Sequence, residues 1–209
     1  MTQYILQEVL ASPSDLRRIM RAYAMLDAII ERHWEFRYFS FNSCWGNGDE
    51  MASMRNGEGD GVFSLFSPDG IFVKGFDHAY QGATKKAVSE MLAAVPKRFA
   101  HAIKEAAFDM DSSTFCMWNL AGSTSWGLSF VSGTCQDAHH WLLAQYSTDP
   151  QVFRRFATSY HDVKLPDTLI ARFLSLEPID DNVLREFPIQ RKMSEIWDDV
   201  KEIGYPSRL

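Results

Sequence analysis

The sequence predicts an α+β fold: an antiparallel sheet of about five strands, built from two hairpins plus an N-terminal strand, packed by an N-terminal helix, central helices and a C-terminal helical segment. Three observations carry this expectation. Apolar residues recur at helical spacing from Leu16 to Ile30. Two pairs of apolar runs between Val62 and Val131 are each broken by turn-forming residues. After Val131 the pattern is helical throughout, so strands gather early and helices late rather than alternating.

Taken in order, Ser12-Pro13-Ser14-Asp15 has the form of a helix start, with Ser12 as cap, Pro13 at the first helical position and Asp15 placed to reach back. Leu16, Ile19, Met20, Tyr23, Leu26 and Ile30 then share one face, giving a helix to about Arg32. Trp34–Phe41, with aromatics on both parities, suits a strand buried on both sides. Ser67-Pro68-Asp69-Gly70 separates Val62–Phe66 from Ile71–Gly75, and the Pro and Gly are what a tight turn requires, so this is a hairpin. Helical spacing returns with Val88, Met91, Leu92 and Val95, and Pro96 opens a second helical piece carrying Phe99, Ile103 and Ala107. Thr114–Leu120 and Ser125–Val131 form a second hairpin around Ala121–Thr124. Asp137 caps a short helix through Tyr146, Asp149-Pro150 opens another, Pro166, Pro178 and Pro188 punctuate three more, and Gly204 ends the last. No linker or repeat divides the chain. One domain spanning 1–209 is expected, within which 137–209 could form a helical subdomain.

Twenty-one Lys and Arg against 27 Asp and Glu leave a net charge of −6, and the short basic groups, such as Arg17-Arg18 and Arg191-Lys192, read as solvated helix faces. A phosphate backbone is repelled by this balance, so no nucleic-acid partner is expected. No run approaches 18 apolar residues and the start lacks the layout of a secretory signal, so the expectation is a cytoplasmic protein with no membrane partner. Between Lys104 and Arg154 there is no Lys or Arg, while Glu105, Asp109, Asp111, Asp137 and Asp149 fall there. If those acids share a surface, their field favours a basic partner protein. Cys44, Cys116 and Cys135 are too few and too scattered for a disulfide framework or a structural zinc site.

The chemistry-bearing candidates cluster around the stretch 46–61, which packs five glycines and four acids between two expected strands. Arg55 and Asn56 offer a cation and an amide at a turn, and Asp60 lies at its end. Lys74, Asp77 and His78 close the first hairpin and could meet this loop. These six are the candidate ligand-binding residues. The stretch matches neither the Walker spacing nor the dinucleotide fingerprint, and the plain alternative is a hairpin connection whose glycines take positive φ. No metal centre is expected, because adjacent residues on an extended chain such as Asp77 and His78 point to opposite sides. His139-His140 has the same difficulty on a helix. No serine stands in a G-x-S-x-G elbow, no catalytic residue is assigned, and no cofactor is expected. The aromatics of Trp34–Trp45 are those of a packed sheet.

Met51–Gly57, Lys74–His78 and Glu202-Ile203-Gly204-Tyr205-Pro206 resemble a family of bacterial proteins of about this length to which no activity is assigned, the Ser-Met-Arg-Asn-Gly block being the most specific part. That resemblance covers the chain from Met25 on and implies no catalytic residues. Val95–Phe99 followed by a Trp-bearing hairpin is also similar to immunity proteins of the SMI1/KNR4 type, which are acidic α+β binders; the Asn-Gly usual after their Pro-led helix is missing here. The functional expectation is a non-enzymatic protein-binding module, immunity-like in class. Its rival is a small-molecule or metal-dependent enzyme with a site between loop 46–61 and the end of the 71–78 segment.

Overall fold

The computed structural model describes residues 11–46, 48–80, 84–131 and 138–208, with the side chains of 138–140 outside that description. The first helix, α1 (Pro13–Ile30), starts as its sequence dictates: Ser12 Oγ accepts from the Asp15 amide at 3.1 Å and Pro13 occupies the first turn. Six strands follow: β1 (Phe39–Gly46), β2 (Asp49–Arg55), β3 (Gly61–Ser67), β4 (Gly70–Phe76), β5 (Phe115–Leu120) and β6 (Gly127–Phe130). Their spatial order is their chain order and every neighbouring pair is antiparallel. Between β4 and β5 lie α2 (Lys85–Leu92), α3 (Ala100–Ile103) and three 3-10 turns at Lys97–Phe99, Ala106–Phe108 and Met110–Ser112. The chain then continues through α4 (Ala138–Leu143), α5 (Pro150–His161), α6 (Asp167–Leu174), α7 (Asp181–Leu184) and α8 (Met193–Ile203).

The α+β class holds, with six strands in place of about five. The added strand is β2, which runs through the middle of the stretch expected to be a loop. Among the described residues, Gly48 and Asn56–Asp60 turn there, and the seven residues between pair with β1 on one side and β3 on the other. The first strand also begins later than its aromatics suggest. Trp34–Phe36 is a 3-10 turn, closed by the Phe36 and Arg37 amides onto the His33 and Trp34 carbonyls. The amides of Tyr38 and Phe39 are taken by the Asp27 carboxylate instead of a strand neighbour. The piece after Pro96 is a 3-10 turn plus the four residues of α3, shorter than its periodicity suggests. The expected cap Asp137, and Cys135, lie outside the described residues.

The period-2 alternation of the strands sorts their side chains onto two faces. One face carries Phe39, Phe41, Ala52, Met54, Val62, Phe66, Ile71, Val73, Phe115 and Met117, and buries them with α1 and with α5, α6 and α8 in one apolar cluster. The other face carries Met51, Leu65, Phe72 and Cys116, covered by Val88, Met91, Phe99, Ala102 and Phe108 of the β4–β5 connection. That cover is partial. Toward β1 the second face turns polar, with Ser40, Asn42, Ser53 and Arg55, and there the sheet carries an open cleft. Among the described residues, no helix is long and apolar enough to cross a membrane.

Candidate functional site

Four of the six candidate residues meet at the end of the β2–β3 and β4 strands. Asn56 Nδ2 donates to Asp60 Oδ2 (2.5 Å), and Asn56 Oδ1 accepts from the amides of Glu58 and Asp60, the local bonding that lets Asn define a tight turn. Asp60 Oδ1 accepts from both the His78 amide (2.7 Å) and His78 Nδ1 (2.8 Å). Asp77 Oδ1 caps the Ala79 amide at 2.9 Å. The ligand atoms of Asp60, Asp77 and His78 lie within 4.8 Å of one another, a grouping that could hold a metal ion on distance alone. The donor count points elsewhere. Buried Asp60 already accepts three hydrogen bonds, so most of its acceptor capacity goes into closing the chain, and the group is a latch joining the β2–β3 turn to the exit of β4.

The latch makes the imidazole titrate abnormally. The hydrogen bond from His78 Nδ1 to Asp60, reinforced by that carboxylate's charge, holds the ring's pKa above the ordinary 6.5. A pKa raised on folding stabilises the folded state fully below the unfolded value, and the contribution is lost as pH climbs through the folded value. Proton NMR of His78 is therefore expected to give a midpoint above 6.5 that falls back in Asp60→Asn. An unchanged midpoint in that variant would show that the latch does not exist in solution.

Arg55 and Lys74 do not join this group. They fall on the opposite parity and face the second side of the sheet. Lys74 is buried, with its Nζ 5.3 Å over the Phe63 ring and no hydrogen bond or ion pair among the described residues. Burial pushes its pKa down, against the pull of Asp109. Cys116, its cross-strand neighbour, is pushed by burial up to about 12 and is chemically inert. Cys44 is exposed and free. The convergence of Arg55 with Asp60, Asp77 and His78 that the enzyme reading requires is not made.

Arg55 instead leads to the cleft. Its guanidinium stacks 4.5 Å over the Trp34 ring, and the two form one wall of an opening of about 220 Å³. Trp45 and Phe63 also line it, as do Ser40 and Ser53, whose hydroxyl oxygens are 2.6 Å apart. Ala107, from the 3-10 turn after Glu105, and Glu202, near the end of α8, complete the lining. One carboxylate, Glu202, lines the cleft, and a second, Glu105, lies behind Trp45. Glu105 accepts from Trp45 Nε1 at 3.1 Å, and Glu202 accepts from Asn42 Nδ2 at 3.4 Å; neither has a cationic partner among the described residues. Exposed aromatics continue the surface outward: Trp34 is 50% and Phe36 58% exposed, and the Tyr160 hydroxyl reaches the Phe36 carbonyl.

Of the acids of the Lys/Arg-free stretch, Asp137 lies outside the described residues, and Glu105 and Asp109 do not share a surface with Asp149. Glu105 and Asp109 flank a turn whose Phe108 packs on the second face, whereas Asp149 caps α5 on the helical layer across the sheet. The expected solvated pair Arg191-Lys192 also divides, Lys192 outward and Arg191 into the fold. Sequence reasoning passed over the cleft because Trp34 and Trp45 read as core; the signal it had was the polar parity of Ser40 and Asn42 between them. No family model, curated protein or solved structure matches the chain.

Proposed function

We propose that this protein is a non-enzymatic binding module that receives a basic segment of a partner protein in the Trp34–Trp45 cleft. The observation that carries this reading is the aromatic lining with Glu202 on it and Glu105 behind Trp45, two carboxylates that have no cationic partner among the described residues. Among the lining residues Glu202 and Arg55 balance, and Glu105, just outside the lining on Trp45 Nε1, brings the charge around the cleft to minus one. A guanidinium or ammonium between the rings gains both the carboxylate charge and the negative faces of the indoles. The volume suits a single long side chain rather than a drug-sized ligand, for which roughly 300–1,000 Å³ is usual. Trp and Arg are also the residues in which binding energy concentrates at interfaces, here ringed by Phe36 and Tyr160. The similarity in class to acidic immunity proteins fits a binder of this kind.

Affinity capture with wild type, Trp34→Ala and Glu202→Lys over a salt series tests the proposal. Wild type is expected to retain a basic protein at low salt, with retention falling as salt rises, since the rim charges are exposed. Either variant is expected to weaken the complex by about 2 kcal/mol, roughly thirtyfold. A partner retained equally by all three forms, or with no dependence on salt, overturns the assignment of this cleft.

A further inference from the structure

A second cleft, of about 300 Å³, opens where α7 gives way to α8 and is lined by Asp181, Arg185, Gln190, Arg191, Lys192 and Glu195. Local capping explains its shape. Asp181 Oδ1 accepts the Met193 amide at 2.8 Å, tying α7 to the first turn of α8, and Glu195 Oε2 accepts the Lys192 amide at 2.9 Å. Glu195 Oε1 also accepts from Arg32 Nη2 at 3.0 Å. Both carboxylates of the cleft are thus committed to the protein's own donors. The cations are not matched in the same way. Arg185 is exposed and held by Asn182 Oδ1 (2.6 Å), and Lys192 is exposed.

Arg191 is the outlier. It is 8% exposed, it lines the cleft, and it makes no hydrogen bond, ion pair or ring contact with any described residue. A guanidinium carries five donors and stays charged, and this one opens onto the cleft from a largely buried side chain without a hydrogen bond to a described acceptor. Burial, with Arg32 and Arg37 nearby, disfavours its charged form, and Glu195 and Asp199 only partly offset them. The lining residues sum to plus one from three cations and two anions, and Arg32 on Glu195 raises this to plus two. The amino end of α8, an eleven-residue helix, adds a partial positive charge.

We infer that this cleft binds the phosphate group of a small phosphomonoester, with Arg191 as its bidentate anchor and Arg185 and Lys192 as flanking charges. A tetrahedral dianion balances the plus-two site, which a monocarboxylate does not, and it supplies the acceptors that the buried guanidinium lacks. The site is separate from the Trp34–Trp45 cleft, since α8 contributes its first turn here and Glu202, near its other end, there.

Calorimetric titration in a chloride buffer of low ionic strength, with inorganic phosphate, glucose 6-phosphate, acetate and a phosphoserine peptide as probes, tests the inference. Phosphate and glucose 6-phosphate are expected to bind one to one and acetate not at all. Arg191→Met removes a partnerless buried charge, so it is expected to fold at least as stably as wild type and to weaken both phosphates by about tenfold or more. Arg185→Ala, at an exposed position, is expected to weaken them less. Binding of acetate as tight as phosphate, undiminished phosphate binding in both variants, or no heat from any probe overturns the inference. A phosphoserine peptide that binds far more tightly than glucose 6-phosphate overturns the small-ligand assignment.

Discussion

Replacing Asp27 with alanine is expected to destabilise the protein by about 3–5 kcal/mol, a large share of the roughly 5–15 kcal/mol that holds a domain folded. Asp27 lies in the last turns of α1 and is 0% exposed. Its Oδ2 accepts the amides of Tyr38 (2.7 Å) and Phe39 (2.8 Å), and its Oδ1 lies 2.7 Å from His161 Nε2 at the end of α5. One carboxylate therefore joins the first helix, the entry to the sheet and the C-terminal helical layer. Alanine leaves two amides and a ring nitrogen without partners in a site closed to water, each at a cost of about 1–3 kcal/mol. Asp27→Asn keeps one acceptor oxygen and the side-chain volume, so its loss is expected to be smaller. Urea unfolding of both variants gives the comparison. A double-mutant cycle with His161→Phe should show a coupling of about 1 kcal/mol or more, because the two side chains share one network. An Asp27→Ala protein within about 1 kcal/mol of wild type would show that the three elements are not tied through this group.

Gly70→Ala is expected to cost about 3 kcal/mol or more. Gly70 has φ +132°, a backbone region that side chains strain to occupy, and it sits where β5 runs past the β3–β4 turn. A Cβ there would overlap the Asn119 carbonyl oxygen and come within 2.8 Å of the Ala121 amide, both backbone atoms held in the sheet. Ala121 N in turn donates to the Asp69 carbonyl at 2.9 Å, so the turn and the strand end cannot separate cheaply. Gly122→Ala is the control. Its φ is +78° but nothing lies within 4 Å of a Cβ, so only the conformational cost of about 1 kcal/mol applies. Thermal or urea melts that place the two variants at equal stability would mean that close approach of β5 is not what requires glycine at 70.

Much of the fold could be read before the structure because its signals are local. Ser12 and Pro13 start α1, Asp149 and Pro150 start α5, and Gly204 ends α8 with φ +65°, each through contacts within a few residues. Pro68-Asp69-Gly70 marks a turn by its own dihedral preferences, although β5 adds a second demand for glycine at 70. β2 escaped notice because Asp49–Arg55 is made of two acids, two Met, Ala, Ser and Arg, which have no strong strand preference of their own. It is a strand because β1 and β3 lie on either side and satisfy its amides and carbonyls.

The same division runs through the sites. Asn56, Asp60, Asp77 and His78 could be grouped from sequence since a hairpin brings its ends together, whereas Arg55 and Lys74 were lost to that group by the pleat, which turns each neighbour to the other face. The Trp34–Trp45 cleft depends on where the helical cover stops, and the burial of Arg191 on how α7 meets α8. The sequence alone determined the α+β class, the helix starts, the turns and the negative balance, since propensity, capping and charge act over a few residues. The tertiary structure decided that Glu105 and Asp149 lie on opposite sides of the sheet, that Trp34 is a surface residue and that Arg191 is largely buried with no ion pair among the described residues. Those facts follow from contacts between residues far apart in the chain, which set what is covered and what faces water.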